Sequence, residues 1–95
     1  MIDERDVESK LERVVRESGG LCLKLDSSSK KGIQDRLVLL PGAKVFFVET
    51  KRPDGGRLSV LQKVRRVQIR RMGFPARVIR TGAEVDAFIE EAVNN

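Results

Sequence analysis

The sequence predicts an α/β fold, a mixed central β-sheet flanked by helices, with the element order α-β-β-β-α-β-α. Three observations carry this reading. Segments with apolar residues at helical spacing alternate with strand-like segments. The turn Pro41-Gly42-Ala43 joins two stretches rich in Val, Leu and Phe as a β-hairpin. The apolar run Val45-Phe46-Phe47-Val48 does not alternate with polar residues, as expected of a strand covered on both faces, so helices should lie on both sides of the sheet. A chain of 95 residues has room for one modest core, which predicts a single domain over 1–95.

The elements follow in order. Asp3 with Asp6 reads as a helix start, and Val7, Leu11, Val14, Val15 and Ser18 continue at helical spacing until Gly19-Gly20 stops the run. Leu21 to Leu25 alternates apolar residues with Cys22 and Lys24 and reads as a strand, followed by a polar loop from Asp26 to Gly32. The hairpin strands are Arg36 to Leu40 and Lys44 to Thr50. After a turn from Arg52 to Gly56, a second helix begins at Ser59 and ends at Gly73, with Leu61, Val64, Val67 and Met72 expected to face the core. Ala76 to Arg80 reads as a further strand. Thr81 and Glu84 form a capping box for a last helix carrying Val85, Phe88, Ile89 and Val93.

Composition then narrows the chemistry. Nineteen Lys and Arg against 14 Asp and Glu give a net charge of +5 and a pI near 9.9, a balance suited to a polyanion. There is no His, which excludes imidazole bases, Ser-His-Asp triads and His-ligated metals, so proton transfer must use carboxylate, lysine or water. Cys22 is the only cysteine; it can form no internal disulfide or thiolate cluster and reads as a small buried hydrophobe in a reducing compartment. No apolar stretch is long enough to span a bilayer, and the charged start Met1 to Asp6 lacks the apolar segment of a secretory signal. The expectation is a cytoplasmic protein with no membrane contact and no organic cofactor. With no Trp or Tyr and only four Phe, contact with phosphate backbone is favoured over base stacking.

The constellation that carries chemistry sits at the open end of the hairpin. If the turn is centred on Gly42, Leu40 faces Lys44 and Asp35 lies opposite Glu49. Opposed side chains on an antiparallel pair have Cβ atoms about 4.5 to 5.5 Å apart, where like charges destabilise the sheet unless a cation neutralises them. Two carboxylates are hard oxygen donors suited to Mg²⁺ or Mn²⁺, which keep several waters and accept phosphate oxygens. Lys51, two residues beyond Glu49, projects to the same face and can steady a charged phosphate or hold a water. Thr50 points away, leaving its main-chain carbonyl as a further metal ligand. Lys30, Lys31, Arg36 and Arg52 flank these groups, Arg57 lies close by, and Lys63, Arg66 and Arg70 form a basic stripe on the second helix, all candidates for DNA phosphate contact. The ordinary alternative is that these are solvated charges on strand ends and a helix face.

On these residues the chain resembles the PD-(D/E)xK nuclease superfamily and, within it, the VRR-NUC family in its small standalone phage or bacterial form. The resemblance rests on Glu8, the segment Gly19-Gly20-Leu21-Cys22-Leu23-Lys24, Gly32-Ile33-Gln34-Asp35-Arg36, Val48-Glu49-Thr50-Lys51, Leu58-Ser59 leading to Gln62, and Gly73. It extends over nearly the whole chain, and the predicted element order is similar to the restriction-endonuclease-like core of that superfamily. One departure is Gln34, where the family usually has Pro. The resemblance implies that Asp35 and Glu49 bind metal, that Lys51 is the catalytic lysine, that Gln62 orients the water or metal site, and that Glu8 is the acid of the first helix and a further candidate metal ligand. Gln62 lies three residues after Ser59 and equally fits a capping box, while Glu8 equally fits a solvated helix charge.

Together these readings predict a metal-dependent, structure-selective endonuclease acting on DNA. The resemblance extends this to branched DNA such as Holliday junctions and to a twofold homodimer. The rival is a non-catalytic basic nucleic-acid-binding module within a repair or packaging assembly. A protein-interaction domain is disfavoured because no long exposed apolar stripe is visible and the opposed hairpin charges would go unexplained.

Overall fold

In the computed structural model, which describes residues 4–25, 35–52 and 56–94, the elements run in the predicted order. They are α1 (Glu4–Glu17), β1 (Leu21–Lys24), β2 (Arg36–Leu40), β3 (Lys44–Thr50), α2 (Val60–Arg71), β4 (Ala76–Ile79) and α3 (Gly82–Asn94). Asp3, read as part of the first helix start, and Lys30, Lys31 and Gln34 lie outside the described residues. The four strands form one mixed sheet in the order β1-β2-β3-β4, with β1, β2 and β3 antiparallel and β4 parallel to β3. The parallel pair follows from the helix between β3 and β4, since parallel neighbours need a long crossover.

Local chemistry explains where the elements begin and end. Gly42 and Ala43 both take positive φ, 88° and 61°, which closes the hairpin in three residues and sets Leu40 against Lys44 as predicted. Gly20 is required by space, because a Cβ there would sit 2.3 Å from the Leu39 carbonyl oxygen. Ser59 and Gln62 form a reciprocal capping box on α2, and the Glu84 amide donates to Thr81 Oγ1 at 3.1 Å at the start of α3. The C-terminal end of α3 has no basic residue of its own. Lys44 of β3 supplies the charge instead, its Nζ donating to the carbonyls of Ala92 (2.7 Å) and Val93 (3.1 Å).

The core lies between one face of the sheet and the pair α1 and α3. Val7, Leu11 and Val15, one turn apart on α1, meet Val85, Phe88 and Ala92 of α3 over Val38, Val48 and Ile79. Phe46 meets Phe88 edge to face, with ring centroids 5.1 Å apart. In α3 it is Ala92 that is buried, while Val93 is exposed. Because Leu11 is fully buried at the centre of this cluster, Leu11→Ala should lower unfolding stability by about 2 to 5 kcal/mol, measurable by urea denaturation. Cys22 packs against the same core, half-buried, and its burial raises the thiol pKa to about 11, leaving it protonated and inert.

The opposite face departs from expectation. Only Ile69 of α2 is buried, whereas Leu61, Val64, Val67 and Met72, expected in the core, are 49%, 47%, 47% and 68% exposed. Helical spacing shows which apolar residues share a side but not whether that side meets the sheet. Here the inward stripe is Gln62, Arg66 and Ile69: Gln62 reaches β3, Arg66 Nε donates to the Ala76 carbonyl at 3.2 Å, and Ile69 is buried. The helix therefore carries an exposed apolar stripe that sequence reading did not find. Coverage of this face is partial, since Phe74 beyond α2 packs on Phe47 but Leu21 and Leu23 of β1 remain exposed.

Candidate active site

Strand register builds the site. The ladder pairs Arg36 with Val48, so the next residues outward, Asp35 and Glu49, meet at the open end of the hairpin as predicted. Their contact is reciprocal. The Asp35 amide donates to Glu49 Oε2 at 2.9 Å, and the Thr50 amide donates to Asp35 Oδ1 at 3.2 Å. Each carboxylate is thus held by the main chain of the neighbouring strand, which fixes its position without a long flexible side chain in between.

Side chains complete the arrangement. Glu49 is almost fully buried, and its Oε1 accepts from Gln62 Nε2 at 2.8 Å and lies 3.4 Å from Lys51 Nζ. Gln62 makes both contacts at once, because its Oε1 accepts from the Ser59 amide at 2.9 Å while its Nε2 donates to Glu49. Thr50 Oγ1 donates to Asp35 Oδ2 at 2.9 Å and lies 3.2 Å from Glu8 Oε1. Asp35, Glu49, Lys51, Gln62 and Glu8 are therefore brought together, Glu8 through Thr50.

The electrostatics are those of charge crowded into a half-dry place. Burial raises the Asp35 pKa, against the hydrogen bonds from Thr50 that lower it. Burial also raises that of Glu49, with the nearby Asp35 charge adding to the rise and Lys51 opposing it. A pair so placed is unfavourable as two bare anions and favourable around a cation.

Several basic residues stand elsewhere than expected. Arg36, read as a DNA contact, is 2% exposed and turned towards α1, where Nη2 lies 3.2 Å from both Glu8 Oε2 and Glu12 Oε1. It cannot reach a phosphate from there: as the first residue of β2, it points to the α1 side, where two glutamates compensate its charge. Arg66 is likewise drawn inward from the basic stripe to the Ala76 carbonyl. Arg52, Arg57, Lys63 and Arg70 are exposed. The Thr50 side chain was missed. Its strand position does turn it away from Glu49, as read, and on that side it meets Glu8 of α1, but Asp35 lies at the strand's start, where its carboxylate meets that hydroxyl. No residue-type signal marks this.

No family model matches the chain. A curated relative, described as "Putative nuclease p44" of Acyrthosiphon pisum secondary endosymbiont phage 1, is 43% identical over 53 residues. That match covers 56% of this chain and 57% of the phage protein, so it spans little more than half of either. A solved structure described as a VRR_NUC domain superposes with a TM-score of 0.85 and 29% identity, covering 92% of this chain and 94% of its own. The mixed four-stranded sheet with three helices is the architecture the two chains share. Over nearly its whole length, this chain is thus similar in fold to a solved VRR_NUC domain.

Proposed function

We propose that these 95 residues act as one metal-dependent endonuclease domain that hydrolyses phosphodiester bonds in DNA. The observation that carries the reading is the buried, mutually braced pair Asp35 and Glu49 with Lys51 Nζ 3.4 Å from Glu49. The donor set fits a hard divalent cation. Two carboxylates with raised pKa values offer oxygens that gain from a positive neighbour. Two protein carboxylates leave positions to be filled by the Thr50 carbonyl and water, an arrangement that suits Mg²⁺ or Mn²⁺. Asp35, Glu49 and the Thr50 carbonyl would hold the ion, which when bound supplies Lewis-acid stabilisation of a phosphate.

The chain's own groups account for the rest. Lys51 places an ammonium where it can hold a water or a phosphate oxygen, and Gln62 keeps Glu49 turned towards Asp35. Arg52 and Arg57, both exposed, follow Lys51 in the chain, and Lys63 and Arg70 add exposed positive charge along α2, so a backbone crossing the site meets charge on one side. Branched DNA as the substrate is supported by resemblance, and a homodimer also by the exposed apolar stripe of α2, which a second copy could cover. Among the described residues no helix is long and apolar enough to cross a membrane.

The test incubates the protein with labelled four-way junctions, flaps and linear duplex in Mg²⁺, Mn²⁺ or EDTA. Cleavage is expected with either metal, strongest on junctions, and none in EDTA. Cutting that survives EDTA would end the mechanism, and metal-independent binding with no cutting in any metal would make the chain a non-catalytic binding module. Sedimentation at micromolar concentration decides the homodimer separately.

A further inference from the structure

Arg36 is buried, charged and unused by the proposed chemistry. Its Nη2 lies 3.2 Å from Glu8 Oε2 and 3.2 Å from Glu12 Oε1, and its Nη1 donates to the main-chain carbonyl of Asp35 at 3.3 Å. Its Nε is buried with no partner among the described residues. Leaving a guanidinium nitrogen unpaired in the interior costs free energy, so retention of Arg at this place calls for a gain elsewhere.

The hydrogen bonds around Thr50 show where that gain lies. A hydroxyl has one proton, and Thr50 Oγ1 stands between two carboxylates, Asp35 Oδ2 at 2.9 Å and Glu8 Oε1 at 3.2 Å. The two acids compete for that proton. Glu8 is the one whose other oxygen is charge-compensated by Arg36, which leaves the hydroxyl free to serve Asp35. Asp35 is thereby held by the Thr50 amide on one oxygen and by the Thr50 hydroxyl on the other, with Arg36 also fixing the Asp35 carbonyl.

We infer that Arg36 is a positioning residue: by neutralising Glu8 and holding the Asp35 main chain, it assigns the Thr50 hydroxyl to Asp35 and so presents the Asp35 carboxylate in its cation-binding orientation. The inference rests on Asp35 being a metal ligand, as proposed above, and gives α1 a role in the site through Glu8, Arg36 and Thr50. Groups that orient a metal-binding side chain typically change metal affinity about 10- to 100-fold when removed.

The experiment compares the full-length wild type with Arg36→Met and with Arg36→Met combined with Glu8→Gln, all below their melting temperatures. Two readouts are needed: the Thr50 amide resonance in ¹H–¹⁵N spectra of metal-free protein, and Mn²⁺ affinity by calorimetry. Arg36→Met is expected to shift the Thr50 amide proton upfield and to weaken Mn²⁺ binding about tenfold. Adding Glu8→Gln, which removes the uncompensated charge, should restore both at least halfway. If Arg36→Met lowers only the melting temperature and leaves both readouts at wild-type values, Arg36 is a structural ion pair and the inference is wrong. Failure of the double variant to restore either readout overturns the charge-compensation route as well. Should Arg36→Met not fold, Arg36→Lys takes its place, with one ammonium unable to serve Glu8, Glu12 and the Asp35 carbonyl together; an unaltered Thr50 amide there likewise refutes the role. A wild type that binds no Mn²⁺ would refute the metal-site reading alone, since the Thr50 amide still reports on the Asp35 geometry.

Discussion

Glu49→Gln is expected to reduce metal-dependent cleavage by about a thousandfold or more, equivalent to roughly 4 kcal/mol of transition-state stabilisation. The side chain keeps its length and its place beside Gln62 and Asp35, so the loss would come from charge alone. DNA binding, carried by exposed Arg and Lys side chains, should stay within about threefold of wild type in a gel-shift titration. A variant that cuts at wild-type rate would remove Glu49 from the site.

The same substitution has a consequence for stability whose sign can be worked out. The folded-state pKa values of Asp35 and Glu49 are raised by burial, and for Glu49 also by its neighbour's charge. Folded protein therefore binds these protons more tightly than unfolded protein does, and the penalty is fully present above the folded pKa values and fades as pH falls through them. In EDTA, the melting temperature of Glu49→Gln minus that of wild type should be largest near pH 8. The difference should shrink as the pH falls towards the ordinary carboxylate range near about 4. Added Mg²⁺ should raise the wild-type melting temperature and not that of the variant, because a ligand that binds only the folded state stabilises it by mass action. A difference that widens on acidification would contradict the charge-crowding account.

Lys51→Met is expected to slow single-turnover cleavage about 10²- to 10³-fold while metal still binds. The Met side chain keeps the stem and deletes the ammonium that lies 3.4 Å from Glu49 Oε1. With a nearby positive charge gone, Mn²⁺ affinity should be unchanged or slightly tighter. The reading of Lys51 as a group acting on water and phosphate fails if the variant no longer binds metal, and equally if it cuts at the wild-type rate.

Local rules served the hairpin well. Pro41-Gly42-Ala43 sets the turn, the turn sets the register, and the register places Asp35 against Glu49. The capping residues of α2 and α3 were legible for the same reason, since each cap involves groups three residues apart. Gln62 was legible as a cap or as a site residue and proved to be in place for both. Arg36 was misread because a basic residue beside an acidic pair looks identical in sequence whether it faces solvent or α1.

What the amino-acid sequence determined by itself was the order of elements, the hairpin pairing and the meeting of two carboxylates beside a lysine, because each depends on contacts between residues near in the chain or on strand periodicity. Tertiary structure alone decided which side of α2 turns inward, that Arg36 is buried against Glu8 and Glu12, and that Thr50 links Asp35 to the first helix. Those outcomes depend on how helices dock on the two faces of the sheet. Docking is set by the whole surface each element presents, not by the spacing of residues within one element.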